Sequence, residues 1–327
     1  MKILVIRRDN IGDLVCTTPL LAALRRAKPG AWIGALVNSY NAPVLERNPD
    51  VDAVVTYRKL KHLEPGESAL GALRARLASF WKLRQAKLDV VVLATPGAPR
   101  RGLRLARWLR PARIAGFDDG RVRAATAGAR HEVELVFALA RAFDIQGAPP
   151  PLALNPDPLE VEKARAKLAS HPGARVAVHL SARRQAQRWP AARFAELTGK
   201  LSERGAAVML LWSPGPASHP QHPGDDDKAE EVLRLLGAGR AIPYPTTQLP
   251  ALIGALAACD RVICADGGAM HLAAALQKPV VALFGDSPPE RWRPWRTRHR
   301  VVRSESRNVA DLPVEEVLRA YEEVTAP

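Results

Sequence analysis

The chain has 327 residues, of which 47% are hydrophobic and 25% charged, and carries a formal net charge of +15. These proportions are those of a globular rather than a disordered protein, the length suits two domains, and no apolar run reaches the ~18 residues of a membrane span. The excess of cations calls for an anionic partner, whether nucleic acid, an anionic membrane surface or a phosphorylated substrate, unless it is only a solvated basic face.

Residues 2–6 (K-I-L-V-I) form a β-branched apolar run of the length of a buried parallel strand. The run leads into Arg7-Arg8-Asp9 rather than into a signal-peptide core, which sets the expectation of a cytoplasmic protein. A polar turn with a single glycine, Gly12, follows, and the apolar spacing then predicts a helix over 14–28, stopped by Pro29-Gly30. Strands are expected at 31–37, 53–56, 89–93 and 113–116, and helices at 41–47, 68–87, 103–109 and 131–143. Between residues 58 and 130 there are 17 Lys and Arg against five Asp and Glu, so most of the net charge lies in this stretch. Aromatic residues make up only 5% of the chain and do not interleave with the cations, which weighs against a single-stranded nucleic acid.

Five prolines between residues 146 and 158 rule out regular structure there and mark a linker. The alternation then restarts, with helices expected at 159–169, 191–204, 229–236 and 249–258, and strands at 175–180 and 207–212. A strand at 262–265, the turn Asp266-Gly267-Gly268, a helix at 269–276 and a strand at 280–284 come next, then a basic Trp-rich loop and a closing helix at 313–325. Alternating strands and helices mean α/β domains with doubly wound parallel sheets. The expected division is 1–150, 159–312 and a closing segment 313–327 packing back toward the first domain, with a cleft between the domains. Cys16, Cys259 and Cys264 have no metal-ligand spacing and read as reduced structural residues.

Three places offer chemistry. The first strand-to-helix turn lacks G-x-G-x-x-G and the chain lacks G-x-x-x-x-G-K-[ST], which argues against a nicotinamide oxidoreductase and a P-loop hydrolase. That turn instead offers Asp13, which reads either as an acid in a first helical turn or as a general base. Downstream of the strand at 175–180, Ser181 opens a loop holding Arg183, Arg184 and Arg188, and guanidinium groups suit a diphosphate. In the third place, Asp266, Gly267, Gly268 and His271 stand at a helix start, where unpaired N–H groups favour an anion; Asp266 as a plain helix cap is the competing reading. The acidic run Asp225-Asp226-Asp227 reads as an N-cap rather than a metal site, and no divalent-ion site is expected.

The motifs K-I-L-V-I-R-x-D-x-I-G-D-x-x-x-T-T-P-L-L, R-W-P-x-x-R-F-A-E-L and D-G-G-x-M-H-L-A-A-A-L-x-K-P-V-V-A-L-F-G, in that order, resemble glycosyltransferase family 9. This family contains the ADP-heptose:lipopolysaccharide heptosyltransferases. The resemblance implies a GT-B fold of two Rossmann-like domains, the first binding the acceptor and the second the nucleotide-sugar. It also implies inverting transfer of a sugar to a lipopolysaccharide core acceptor, with no metal or other cofactor. Asp13 then matches the family's base, with Asn10, Gly12, Thr17 and Thr18 around it as acceptor contacts. Asp266, Gly268 and His271 match the residues that hold the donor diphosphate.

Two departures stand out: Gly267 where a hydroxyl is common, and Gln187 where a lysine is common, with Arg183, Arg184 or Arg188 placed to compensate. A lipid-linked anionic acceptor would bring the enzyme to the inner face of the cytoplasmic membrane. The rival readings are transfer of another activated sugar, a non-catalytic glycolipid-binding relative and a nucleic-acid binder.

Overall fold

The structure is a computed structural model and describes residues 1–57, 68–97, 100–218 and 223–325. Arg58, Lys59 and Lys61 of the basic stretch, part of the 213–227 loop and the last two residues lie outside the described residues. The chain divides into two compact units, Met1–Asn155 and Pro156–Pro327, and the division falls inside the proline-rich segment.

In the first unit, β1 (Lys2–Ile6), α1 (Ile11–Val15), α2 (Thr18–Ala27), β2 (Trp32–Asn38), β3 (Ala53–Tyr57), α3 (Ala69–Gln85), β4 (Val90–Leu93), α4 (Arg100–Leu109), β5 (Arg113–Ala115), α5 (Gly120–Thr126) and α6 (Glu132–Phe137) follow one another. All strand pairs are parallel, in the order β3-β2-β1-β4-β5, with Leu4 opposite Gly34 on one side and Val91 on the other. The continuous apolar runs of β1 and β4 are buried on both faces, as a helix-covered parallel sheet requires.

The helix expected over 14–28 is two helices, broken at Cys16-Thr17. Pro19 is the cause: it lacks an N–H and is accepted only in a first turn, so α2 must begin beside it. The 41–47 helix is reduced to a 3₁₀ turn at Ala42–Val44. α5 had no counterpart in the sequence reading; it starts where Asp119 Oδ1 accepts from the Arg121 N–H at 2.9 Å.

In the second unit, α7 (Pro158–Leu168), β6 (Arg175–His179), α8 (Ala191–Glu203), β7 (Ala207–Trp212), α9 (Asp226–Leu236), β8 (Ile242–Pro245), α10 (Leu249–Ala258), β9 (Arg261–Ala265), α11 (Gly268–Ala275), β10 (Val280–Phe284), α12 (Pro289–Trp292), β11 (His299–Arg303) and α13 (Val314–Thr325) follow in turn. The sheet order β11-β10-β9-β6-β7-β8, again all parallel, is that of the dinucleotide-binding fold. Both edge strands escaped the sequence reading. β8 carries two prolines, which only an edge tolerates, and β11 begins in a basic, half-exposed run.

On one face of this sheet, Val176, Val178, Leu210, Ile263 and Val281 meet Phe194 and Leu197 of α8 in a single cluster. Val314, Val317, Tyr321 and Val324 of α13 belong to the same cluster. The closing segment is therefore part of the second unit's core. Its apolar positions recur at helical spacing and cover β10 and β11.

In both sheets the strand order reverses beside the first strand, between β1 and β4 and between β6 and β9. Such a reversal opens a crevice beyond the carboxyl ends of the strands. All three candidate places follow one of these strands.

Candidate active site

In the first unit, the site is built on a buried arginine that the sequence reading did not single out. Arg7 follows β1, is only 2% exposed, and lies among three carboxylates. Its Nη2 donates to Asp13 Oδ1 at 3.0 Å and to Glu132 Oε1 at 2.8 Å, its Nε is 3.0 Å from Asp9 Oδ2, and its Nη1 donates to the Ala94 carbonyl. Burial works against the charge, but Asp13, Glu132 and Asp9 outweigh it, and the guanidinium is held above its ordinary pKa.

Asp13 lies in α1, and its second oxygen, Oδ2, accepts from the Asn10 backbone N–H and from Asn10 Nδ2, each at 2.9 Å. Both carboxylate oxygens are thus fixed in direction, while the side chain keeps 12% of its surface accessible. Asn10 is exposed beside it and Gly12 is buried in the same turn. The Asp9 carbonyl takes bonds from Tyr40 Oη at 2.6 Å and Asn38 Nδ2 at 3.1 Å, and Thr95 Oγ1 donates to Asp9 Oδ2 at 2.9 Å. These bonds tie the turn after β1 to the ends of β2 and β4, the crevice position that the strand order marks.

Thr17 and Thr18 do not join this surface. Both are fully buried, and their hydroxyls donate to the Asp13 carbonyl at 2.9 Å and the Val15 carbonyl at 2.8 Å. Thr18 Oγ1 also accepts from the Ala153 N–H at 3.1 Å. They hold the α1–α2 break together.

In the second unit, the loops after β6, β9 and β10 meet. Gln187 is buried in a 3₁₀ turn, and its Nε2 donates to Asp266 Oδ2 at 3.0 Å; Ser287 Oγ donates to the same oxygen. Burial pushes the Asp266 carboxyl up, and the bonds from Ser287 and Gln187 only partly offset this. Gln187 therefore orders the Asp266 turn from within. Gly285 allows the close approach, because a Cβ there would run into the Ala186 carbonyl.

Gly267 is extended (φ 163°) and open at its Cβ position, with no heavy atom nearer than the Ala265 oxygen at 4.0 Å. Gly268 is the first residue of α11, whose leading N–H groups have no intrahelical acceptor. His271 is buried one turn on, its ring 6.0 Å edge-on from that of Trp292.

The arginine loop divides by role. Arg183 and Arg184 are exposed, and Arg184 Nη1 lies 3.7 Å from Asp286 Oδ1. Arg188 is instead committed to the fold. Its Nη2 bonds to the buried Asp225 carboxylate, its Nη1 to the Ala182 carbonyl at 3.0 Å, and Lys228 Nζ lies 3.2 Å from the same Asp225 oxygen. Arg188, expected at the donor, is thus held in an ion pair beneath the loop. Asp225 likewise occupies the N-cap position of α9 without capping it through its side chain, while Asp226 accepts from Trp212 Nε1 at 2.7 Å and the Gly215 N–H at 2.8 Å. Ser181 Oγ accepts from the Ser213 N–H at 2.9 Å and so braces the loop.

Residues 85–321 match the sequence model of glycosyltransferase family 9 (heptosyltransferase). The chain belongs to glycosyltransferase family 9. Among family 9 relatives, lipopolysaccharide heptosyltransferase 2 of Salmonella typhimurium is 29% identical over 93% of this chain and 88% of its own length. Lipopolysaccharide heptosyltransferase 1 of Pseudomonas aeruginosa is 27% identical over 88% of this chain and 80% of its own. Of solved structures, a family 9 glycosyl transferase from Veillonella parvula superposes with a TM-score of 0.83 at 19% identity, covering 99% of this chain and 96% of that one. ADP-heptose lipopolysaccharide heptosyltransferase II of E. coli gives 0.77 at 23% identity, covering 99% and 98%. The fold is GT-B, and the chain is a glycosyltransferase. The family 9 match begins after Asp13, so the second-unit site lies inside it and the Arg7–Asp13 site does not.

Proposed function

We propose that this family 9 enzyme transfers a heptose from ADP-heptose to a lipopolysaccharide core acceptor, with inversion and without a metal. The observation that carries this reading is the Asp13 carboxylate, fixed by Arg7 and Asn10 at the end of β1 and still open to solvent. In the proposed mechanism an acceptor hydroxyl gives its proton to Asp13 and attacks the anomeric carbon from the side opposite the diphosphate. The C–O bond to the diphosphate breaks as the new glycosidic bond forms, so configuration inverts. A positioned base of this kind supplies ~10²–10⁴-fold.

The donor side of the proposal rests on the start of α11. The N–H groups following Gly267, together with Arg183 and Arg184, offer positive charge to the leaving diphosphate, a role a metal would otherwise fill. Asp266 is assigned to ordering this turn through Gln187 and Ser287. The heptose donor and lipopolysaccharide acceptor are proposed from relatives that bear those names at 27–29% identity. A lipid-linked acceptor also accounts for the proposed place of work, peripheral at the inner face of the cytoplasmic membrane.

The test is release of ADP from ADP-heptose in the presence of purified heptose-deficient lipopolysaccharide, with and without excess EDTA, and the anomeric configuration of the product read by NMR. Turnover that persists in EDTA and gives an inverted product is the expected result. No turnover with this donor, or activity that requires Mg²⁺ or Mn²⁺, contradicts the reading.

A further inference from the structure

α3 and α4 carry a surface that neither the fold nor the proposed reaction uses. The buried side of α3 supplies Phe80 and Leu83 to the cluster formed with Ala106 and Leu109 of α4. The adjoining face of the helix exposes Leu70, Leu73, Leu77 and Trp81. At 100° per residue these four fall within roughly 80° of arc, a single stripe along the helix. Trp81 is 55% exposed and Trp108 of α4 40% exposed, with ring centroids 6.4 Å apart. The Arg84 guanidinium lies over the Trp108 ring, 4.9 Å from its centroid.

The charge on the same two helices is of one sign. α3 holds Arg74, Arg76, Lys82 and Arg84, α4 holds Arg100, Arg101, Arg104 and Arg107, and neither contains an Asp or Glu. Large apolar side chains in a stripe, paired tryptophans and flanking cations are what an interfacial helix presents to a bilayer. Leucine enters the acyl boundary, tryptophan sits at headgroup depth, and cations meet anionic lipid phosphates. A second copy of this chain fits poorly, since a two-fold contact would oppose these like charges across a low-dielectric interface. A nucleic acid would meet the cations but leave the leucine stripe in water.

We propose that the α3–α4 face docks the enzyme on an anionic lipid bilayer surface, with Leu77, Trp81 and Trp108 entering the interface and the arginines of α4 contacting lipid phosphates. This surface deepens the proposed lipid-linked acceptor, on which its purpose rests, but the contact itself involves no sugar. Binding is therefore measured without donor or acceptor, so that failure of docking and failure of transfer are separate results.

The full chain is sedimented with phosphatidylcholine vesicles with and without phosphatidylglycerol, over a salt series. Binding is expected to require phosphatidylglycerol and to weaken with salt. The pairs Leu77→Gln/Trp81→Gln and Arg101→Glu/Arg104→Glu are each expected to lower the partition coefficient by at least ~10-fold. Both should leave the melting temperature and turnover on a soluble, delipidated acceptor unchanged. Equal binding to the two vesicle types, or no binding, overturns the proposal. Full vesicle affinity in the Leu77→Gln/Trp81→Gln pair, with heparin displacing the protein, also overturns it and marks a polyanion site instead.

Discussion

Glu132, 125 residues along the chain from Arg7, closes a buried ion pair with it at 2.8 Å through the same guanidinium nitrogen that donates to Asp13. The pair links α6 to the end of β1, so the direction of Asp13 depends on a residue that never has to meet a substrate. Glu132→Gln keeps the shape and removes one of the three carboxylates around Arg7. Turnover should fall by about 10-fold, a fraction of what a positioned base supplies, with donor affinity unchanged. The melting temperature should also drop, since losing a buried partner costs up to ~3–5 kcal/mol. Unchanged turnover in a correctly folded Glu132→Gln enzyme would remove it from the positioning of Asp13.

Arg184 and Arg188 stand four residues apart and are expected to fail differently. Arg184→Ala should weaken donor binding without affecting stability. Arg188→Ala leaves the buried Asp225 with Lys228 as its remaining cation and should cost about 2–3 kcal/mol. Nucleotide titration and thermal melts on both variants check this. The reverse assignment of effects would make Arg188 the donor contact and Arg184 the structural residue.

Gly267 should accept a side chain. Its backbone is extended and the space at its Cβ is open, so Gly267→Ser adds a hydroxyl next to the α11 N-terminus without strain. One added hydrogen bond is worth about 0.5–1.5 kcal/mol, so the donor KM should fall ~2–10-fold at constant melting temperature. A higher KM would mean that a bound diphosphate already fills that space.

His179, buried at the end of β6, has its pKa pushed down to about 4 by burial, with Lys228 adding to the effect and Asp225 opposing it. The unfolded chain takes up this proton near its ordinary value of 6.5, while the folded protein does so only near 4. Stability is therefore flat with respect to this group above pH 6.5 and falls between 6.5 and 4, by roughly 3 kcal/mol in all. Denaturant melts across that window should show the decline, and His179→Gln should flatten it. An equally steep acid limb in the variant would place the loss elsewhere.

Much of the fold was legible because its signals are local. The apolar runs of β7 and β10 and the apolar helix α10 fall where the sequence placed them, and the proline segment holds the division between units. The break at Cys16-Thr17 also had a local signal in Pro19, outweighed by the apolar spacing on either side. β8 and β11 did not, since edge strands need less apolar sequence than buried ones. At the site, the positions of Asp13 and of Asp266 to His271 could be read from motifs. Their partners could not: Glu132 lies 125 residues from Arg7, Ser287 lies 21 from Asp266, and Asp225 lies 37 from Arg188. Buried polar pairs of this kind are set by tertiary packing, which leaves no periodicity to follow.

In the proposed mechanism Asp13 takes the acceptor proton. Single-turnover transfer by Asp13→Asn, measured beside the wild type with ADP-heptose affinity determined on the same preparations, tests it directly. The expected rate is at least ~10²-fold lower, with donor affinity near that of the wild type. Transfer at the wild-type rate by Asp13→Asn would contradict it.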